Sequence, residues 1–351
     1  MPYESKLALG LTPYTAGEQP KDRQFIKLNT NENPYPPSPR VAQAIDGLCD
    51  SLRLYPDMEA TALREAIARV NGVSPEEVFC GNGSDEVLAF AFAAFFAGKT
   101  LLAPDVTYSF YPVYARLFGV DYRTVPLRED FTVDTDGLMQ GLPVALANPN
   151  APTGLWLDKG EIRRLAAHTR ASGAVLLVDE AYAAFAPETC CDLLAEFDNL
   201  LLVRTFSKSH SLAGMRVGYA LGSPRLVNAL RRIRDSFNSY PLDRLAQAAA
   251  TASVLDEDYT AACVAKVMAA RDRAYARLRA AGITVLESAT NFLFVRAAQE
   301  DAAPVQQALR ARGILVRHFS APRLKSWLRV TVGTAEDMER VTDALIELIC
   351  G

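Results

Sequence analysis

Lys208 stands between Ser207 and Ser209, just past the apolar run LLLVRT, and Gly214, Arg216 and Gly218 follow soon after it. An amine held at a rigid strand-to-loop corner can condense with an aldehyde. A guanidinium and short hydroxyls beside it can hold a phosphate, because the arginine fork matches phosphate oxygens and hydroxyls donate to the rest. Taken alone, S-K-S is one more solvated lysine, since lysine is mostly exposed in folded proteins. Two further polar stretches, GNGSDE at 81–86 and VDEAY at 178–182, give that lysine a context.

In GNGSDE, glycines precede an apolar run that begins at Ser84, and the free amides of a helix N-terminus bind anions. Ser84 and Asp85 are therefore a second candidate phosphate cradle, with plain N-capping by either residue as the alternative. Asp179 ends the apolar run AVLLVD, where an unpaired carboxylate is costly and needs a cation or several hydrogen bonds. An ordinary turn cap is the simpler reading of that aspartate. Tyr182 offers a phenol three residues on, and Tyr108 in PDVTYSFY offers an aromatic face, although each by itself reads as a core residue. An amine, phosphate ligands, a carboxylate and an aromatic face together fit pyridoxal 5'-phosphate. Its aldehyde and phosphate are fixed on one ring, and its nitrogen must stay protonated for the ring to act as an electron sink.

The elements that must position these residues alternate along the chain. Strand-like runs are expected at TLLA from Thr100, Val120–Val125, Val144–Ala147, AVLLVD and LLLVRT, with helices Pro39–Leu52, Thr61–Val70, from Ser84, Tyr108–Phe118 and from Asp158 to Ser172 between them. Ser38 before Pro39 is a helix start, and Asp158 with Glu161 reads as a capping box. Such alternation predicts an α/β fold with a mostly parallel sheet and ligands at the carboxyl ends of its strands, where all the polar motifs fall. After Gly222 the texture changes: helices over Arg225–Asp235, Asp243–Leu255, Tyr259–Ala281 and Ala303–Arg312 mix with strands at Thr284–Leu286, Phe292–Val295, Leu315–Arg317 and WLRVTV, before a closing helix Glu336–Ile349. We expect an extended arm over residues 1–30 that joins the small domain, a large cofactor-binding domain over 31–245 and a smaller α+β domain over 246–351.

Composition narrows the function classes. The 351 residues are 50% hydrophobic and 22% charged, enough for a large core. A net charge of -4 and a pI near 5.6 carry no general affinity for nucleic acid. The six cysteines contain no C-x-x-C pair and the three histidines are scattered, which argues against zinc or a disulfide framework and for a reducing compartment. No apolar run is long enough to span a membrane, and MPYESKLALG lacks a signal-peptide core, so a cytoplasmic location is expected.

From NENPYPPSP at Asn31 to LRVTVGT at Leu328, the chain resembles the fold-type-I pyridoxal-phosphate aminotransferases, and within them the histidinol-phosphate aminotransferases. The resemblance implies that Lys208 bonds the cofactor aldehyde, Asp179 faces the ring nitrogen, Tyr182 meets the ring oxygen O3' and Tyr108 stacks on the ring. It makes Ser84, Asp85, Ser207 and Arg216 phosphate ligands. It also implies a homodimer in which Tyr55 reaches the neighbour's cofactor phosphate, and substrate contacts from Tyr14, Asn33, Arg317 and Arg329. The implied reaction is ping-pong transamination from histidinol phosphate to 2-oxoglutarate, with Lys208 as both anchor and proton carrier. A threonine-phosphate decarboxylase, a broad aromatic aminotransferase and a non-enzymatic cofactor-binding homologue are the alternatives. The chain departs from the family in having Ala151 where an asparagine usually precedes Pro-Thr-Gly, so that Asn150, a water or Tyr182 alone must serve O3'. The loop NSYPLD at 238–243 also departs from the commoner version in relatives.

Overall fold

The computed structural model describes residues 3–13, 17–19 and 25–351. A short helix α1 (Lys6–Gly10) precedes β1 (Ile26–Leu28) and α2 (Pro39–Ile45). Ser38 caps α2, its Oγ accepting from Arg40 N at 3.1 Å, with Pro39 in the first turn as the S-P pair predicts. The helix stops at Ile45 rather than at the expected Leu52, because Asp46 turns extended and Gly47 takes a φ of 71°, and a separate 3-10 turn covers Cys49–Arg53.

α3 (Thr61–Asn71) leads into β2 (Val78–Asn82) and α4 (Gly83–Ala91), which runs on as a π-helical turn over Phe92–Phe96. Then come β3 (Thr100–Pro104), α5 (Tyr111–Leu117), β4 (Asp121–Val125), α6 (Thr135–Leu138), β5 (Val144–Ala147), α7 (Lys159–Ala171), β6 (Leu176–Asp179), β7 (Leu200–Thr205) and β8 (Val217–Gly222). α5 begins at Tyr111, not Tyr108, which leaves Tyr108 on the loop past β3. Asp158 caps α7 through Gly160 N at 2.7 Å, but the expected capping box does not form. The Glu161 carboxylate instead meets Thr135 Oγ1 at 2.6 Å and Arg164 Nη1 at 2.7 Å.

The seven-stranded sheet has the order β2-β8-β7-β6-β5-β3-β4, and only β8 runs against its neighbours. Alternate side chains of its central strands enter different cores. Val144, Leu146, Leu176, Val178, Leu200 and Leu202 pack on one face, and Ala145, Leu177, Leu201 and Val203 on the other. A sheet buried on both faces leaves its strand ends as the places where polar groups reach open space, and those ends carry Asp179 and the Lys208 loop.

Beyond β8 lie α8 (Pro224–Phe237), α9 (Arg244–Val254), α10 (Glu257–Ala280), β9 (Phe292–Arg296), α11 (Ala303–Ala311), β10 (Ile314–His318), β11 (Trp327–Thr331) and α12 (Ala335–Cys350). A second sheet has the order β1-β10-β11-β9, so the segment before α2 supplies one of its edges. The expected strand at Thr284–Leu286 reduces to a single bridge between Val285 and Val295. α9 buries Ala246, Ala249, Ala250 and Val254 in the core of the large sheet, whereas α10 buries Val267, Ala270, Ala274 and Leu278 against the small one. On that packing we propose that the division between the two domains falls between α9 and α10, one helix later than the expected 245/246. Among the described residues, no helix is long and apolar enough to cross a membrane.

Candidate active site

A cavity of about 430 Å³ opens at the carboxyl ends of β5, β6 and β7, closed from the other side by the segment before α2. Lys208, Asp179, Tyr182 and Tyr108 line it, together with Ser84, Asp85, Ser207 and Arg216. Stretches far apart in sequence therefore meet in one space.

The loop that carries Lys208 is pinned by its backbone. Phe206 N donates to Val217 O at 3.0 Å, Ser207 N to Thr205 Oγ1 at 3.1 Å, and Asn33 Nδ2 to Lys208 O at 3.0 Å. The Lys208 amine reaches Thr30 O at 3.4 Å. Burial pushes its pKa down to about 8, with Arg329 and Arg216 acting in the same direction and Asp85 and Glu32 opposing them.

Asp179 accepts from Ala181 N at 3.1 Å and from the Tyr111 hydroxyl at 3.2 Å. Burial raises its carboxyl to about 7 against those hydrogen bonds. None of the ion pairs among the described residues includes Asp179, so the protein gives this buried carboxyl donors but no cation.

At the far end of the cavity, Arg216 takes a left-handed backbone with φ 54° and donates from Nη2 to Asp85 Oδ2 at 3.1 Å. Asp85 Oδ1 in turn accepts from the Tyr108 hydroxyl at 2.7 Å. Neither Ser84 nor Asp85 caps α4; its N-cap is Asn82, without a side-chain bond. A carboxylate repels phosphate, so Asp85 can serve such a ligand only through its backbone N–H, while its side chain orients Arg216 and Tyr108. Gly218 lets α4 sit this close to β8: a Cβ there would stand 2.2 Å from Ser84 N. A Cβ on Gly83, at φ 81°, would meet Arg216 Nη2 at 2.6 Å.

Other expected residues lie elsewhere. Tyr55 is 78% exposed, stacked on Tyr240 with ring centroids 4.7 Å apart, and is not part of its own chain's cavity. Asn150 does not line the cavity either; its Nδ2 donates to Val106 O and Thr153 Oγ1, both at 3.0 Å, and so is not available to take over from an asparagine at 151. Asn33 also stays off the wall, because its amide is spent on the carbonyls of Lys208 and Ser209. Arg317 and Arg329 stand on the small sheet beside the cavity rather than in its wall, with Arg329 Nη2 donating to Asn29 O at 3.2 Å. Tyr14 lies outside the described residues. Contributors that the sequence does not single out include Tyr111, which touches Asp179, Glu32 on the cavity wall, and Asn31, whose Nδ2 donates to Tyr182 OH at 2.8 Å. An asparagine in a proline-rich turn was a signal for Asn31's left-handed φ of 57°. Nothing in sequence spacing pointed to Tyr111.

The family profile for aminotransferase class I and II matches residues 23–345. A histidinol-phosphate aminotransferase of Acetobacter pasteurianus is 52% identical over 99% of this chain and 98% of its own, and a histidinol-phosphate aminotransferase 2 of Dechloromonas aromatica is 50% identical over 98% of both. Among solved structures, the histidinol-phosphate aminotransferase of Sinorhizobium meliloti in complex with pyridoxal-5'-phosphate superposes with a TM-score of 0.87 at 28% identity, covering 100% of this chain and 98% of that one. The aspartate aminotransferase of Thermus thermophilus, at 18% identity and a TM-score of 0.82 over 99% of this chain and 100% of that one, shares the fold. The chain belongs to the class I and II aminotransferase family.

Proposed function

We propose that this aminotransferase binds pyridoxal 5'-phosphate in the 430 Å³ cavity and moves the amino group of histidinol phosphate to 2-oxoglutarate, leaving imidazole acetol phosphate and glutamate. The observation that carries the reading is the placement of Lys208, Asp179, Tyr182 and Arg216 around that one cavity. The donor set fits the cofactor: a buried carboxyl that lacks a cation suits a ring nitrogen, and a guanidinium with the hydroxyls of Ser84 and Ser207 suits a phosphate. When bound, the cofactor supplies an aldehyde for the lysine and a sink for the electron pair left on the substrate carbon.

The chain's own residues supply the rest. Asp179 would hold a proton at the ring nitrogen, and the Tyr182 phenol would donate toward the ring oxygen. Tyr108, its hydroxyl anchored on Asp85, would cover one face of the ring. The Lys208 amine, whose pKa burial lowers to about 8, would take up the proton released from the substrate carbon and return it to the carbon that began as the cofactor's aldehyde, two atoms away. Reaching in from the small sheet, Arg317 and Arg329 would take a phosphate dianion in one half of the cycle and a carboxylate in the other.

We further infer a homodimer in the cytoplasm. Tyr55, Tyr240 and Phe237, with Leu52 and Leu54, are large apolar side chains exposed on one chain, and Tyr55 can meet a cofactor phosphate only in a neighbour. All six cysteines are free, which suits a reducing compartment.

The test is a spectral screen of amino donors against the purified protein. Histidinol phosphate should bleach the visible band of the bound cofactor far faster than histidinol or aromatic amino acids, and 2-oxoglutarate should restore it. Aromatic amino acids reacting as fast would make this a broad aromatic aminotransferase. Carbon dioxide released from threonine phosphate would move it to the decarboxylases.

A further inference from the structure

Tyr182 is held by a residue from a different part of the chain. Asn31, 1% exposed, donates from Nδ2 to the Tyr182 hydroxyl at 2.8 Å. Its Oδ1 accepts from the Thr331 hydroxyl at 3.0 Å, and Thr331 Oγ1 accepts from Asn31 N at 3.0 Å. Asn291 Nδ2 closes the corner on Asn31 O at 3.0 Å. In this orientation the amide gives the threonine proton an acceptor and the phenol oxygen a donor at once. The phenol's own hydrogen is then not consumed by Asn31 and can be donated into the cavity that Tyr182 lines. A hydroxyl that receives a hydrogen bond is also a stronger donor.

Ala151 lines the same cavity, and its methyl group offers no donor. The amide beside it, Asn150, is committed to Val106 and Thr153. We propose that Asn31 is a positioning residue that fixes the Tyr182 phenol as the donor to the cofactor's ring oxygen, supplying through Tyr182 the polarisation that Ala151 cannot. The proposal rests on the cofactor reading above. Thr331 lies two positions from Arg329 on β11, hence on the same face, so the chain Tyr182–Asn31–Thr331 also ties the ring-oxygen donor to the strand that carries Arg329.

The substitution Asn31→Asp tests this with little change of shape. Aspartate tolerates a positive φ and still accepts from Thr331, but it takes the phenol proton instead of donating. A donor to the ring oxygen draws charge from it, so the nitrogen linked to Lys208 holds its proton less tightly. Losing that donor should raise the pH midpoint of the bound cofactor's visible band by about one unit, a tenfold change in proton affinity. Tyr182→Phe should raise it similarly, Asn31→Asp should add nothing in the Tyr182→Phe background, and Ala151→Asn should bring the Asn31→Asp midpoint part of the way back. An unmoved midpoint with a lower melting temperature would make Asn31 merely structural and overturn the proposal. An equal shift in the Tyr182→Phe background would reduce the effect to added charge and overturn it as well. If the wild-type protein shows no cofactor band at all, the cofactor reading falls first and takes this proposal with it.

Discussion

Arg317 on β10 and Arg329 on β11 are direct cross-strand partners, so two guanidinium groups leave the small sheet from the same face, beside the cavity that holds Lys208. The Phe319 ring lies under both, 5.9 Å from the Arg317 guanidinium carbon and 5.7 Å from that of Arg329. Two guanidinium groups on one face can together hold an anion with several oxygens, because a guanidinium fork matches such oxygens in bidentate pairs.

Arg329→Leu should therefore erase most of the preference for histidinol phosphate over histidinol. A charge-assisted hydrogen bond of about 1.5 to 3 kcal/mol corresponds to about ten- to a hundredfold in the ratio of kcat/KM values, measured by single-turnover bleaching of the cofactor band. An unchanged ratio would place the phosphate contact elsewhere.

Lys208→Ala should bind cofactor without a borohydride-stable linkage and lose about two to four orders of magnitude in turnover. In wild-type apoprotein, the rate of covalent cofactor capture should climb with pH and level off above about 8, because the neutral amine is the attacking form and burial has lowered its pKa. Asp179 makes a separate prediction for the same apoprotein. Its carboxyl sits at about 7 when folded against 3.8 as the ordinary value, so between those pH values the folded chain keeps a proton that the unfolded chain has lost. That contribution to stability is complete below about pH 4 and gone above about pH 7. Melting temperatures of apoprotein should show this fall, and Asp179→Asn should remove it.

Gly218→Ala would force a Cβ to 2.2 Å from Ser84 N, with backbone on both sides of the clash. α4 would have to lift from β8, costing about 1 to 3 kcal/mol or more and displacing the end of the cavity lined by Ser84, Asp85 and Arg216. Denaturant midpoint and cofactor Kd should worsen together. Gly10→Ala, where a Cβ meets nothing within 4 Å, should stay within about 0.5 kcal/mol of the parent.

Mixing Lys208→Ala chains with Tyr55→Ala chains should recover activity that neither has alone. Random pairing gives about one quarter of the parent's activity, since half of the dimers carry one intact site of two. Full activity in a protein that sediments as a monomer would remove the shared-site reading.

Residue types and their neighbours made much of this protein legible in the chain itself. Buried parallel strands announce themselves as apolar runs ending in a polar residue, and a ligand gathers at such ends because backbone and side-chain polar groups reach open space there. Lys208 and Asp179 were readable for that reason, and Ser38 with Pro39 because a helix start is a local event. What depends on which surfaces meet was not readable. Asn31 touches Tyr182 and Thr331 only because the segment before α2 joins the small sheet and crosses the ends of the large one. Asp85 becomes an orienting group for Arg216 and Tyr108 only because Gly218 brings α4 down on β8. Asn150, though adjacent to Ala151, turns into a neighbouring corner and bonds Val106. Local rules act over a few residues, whereas each of these contacts spans strands and helices far apart in the chain, so only the packed structure decides them.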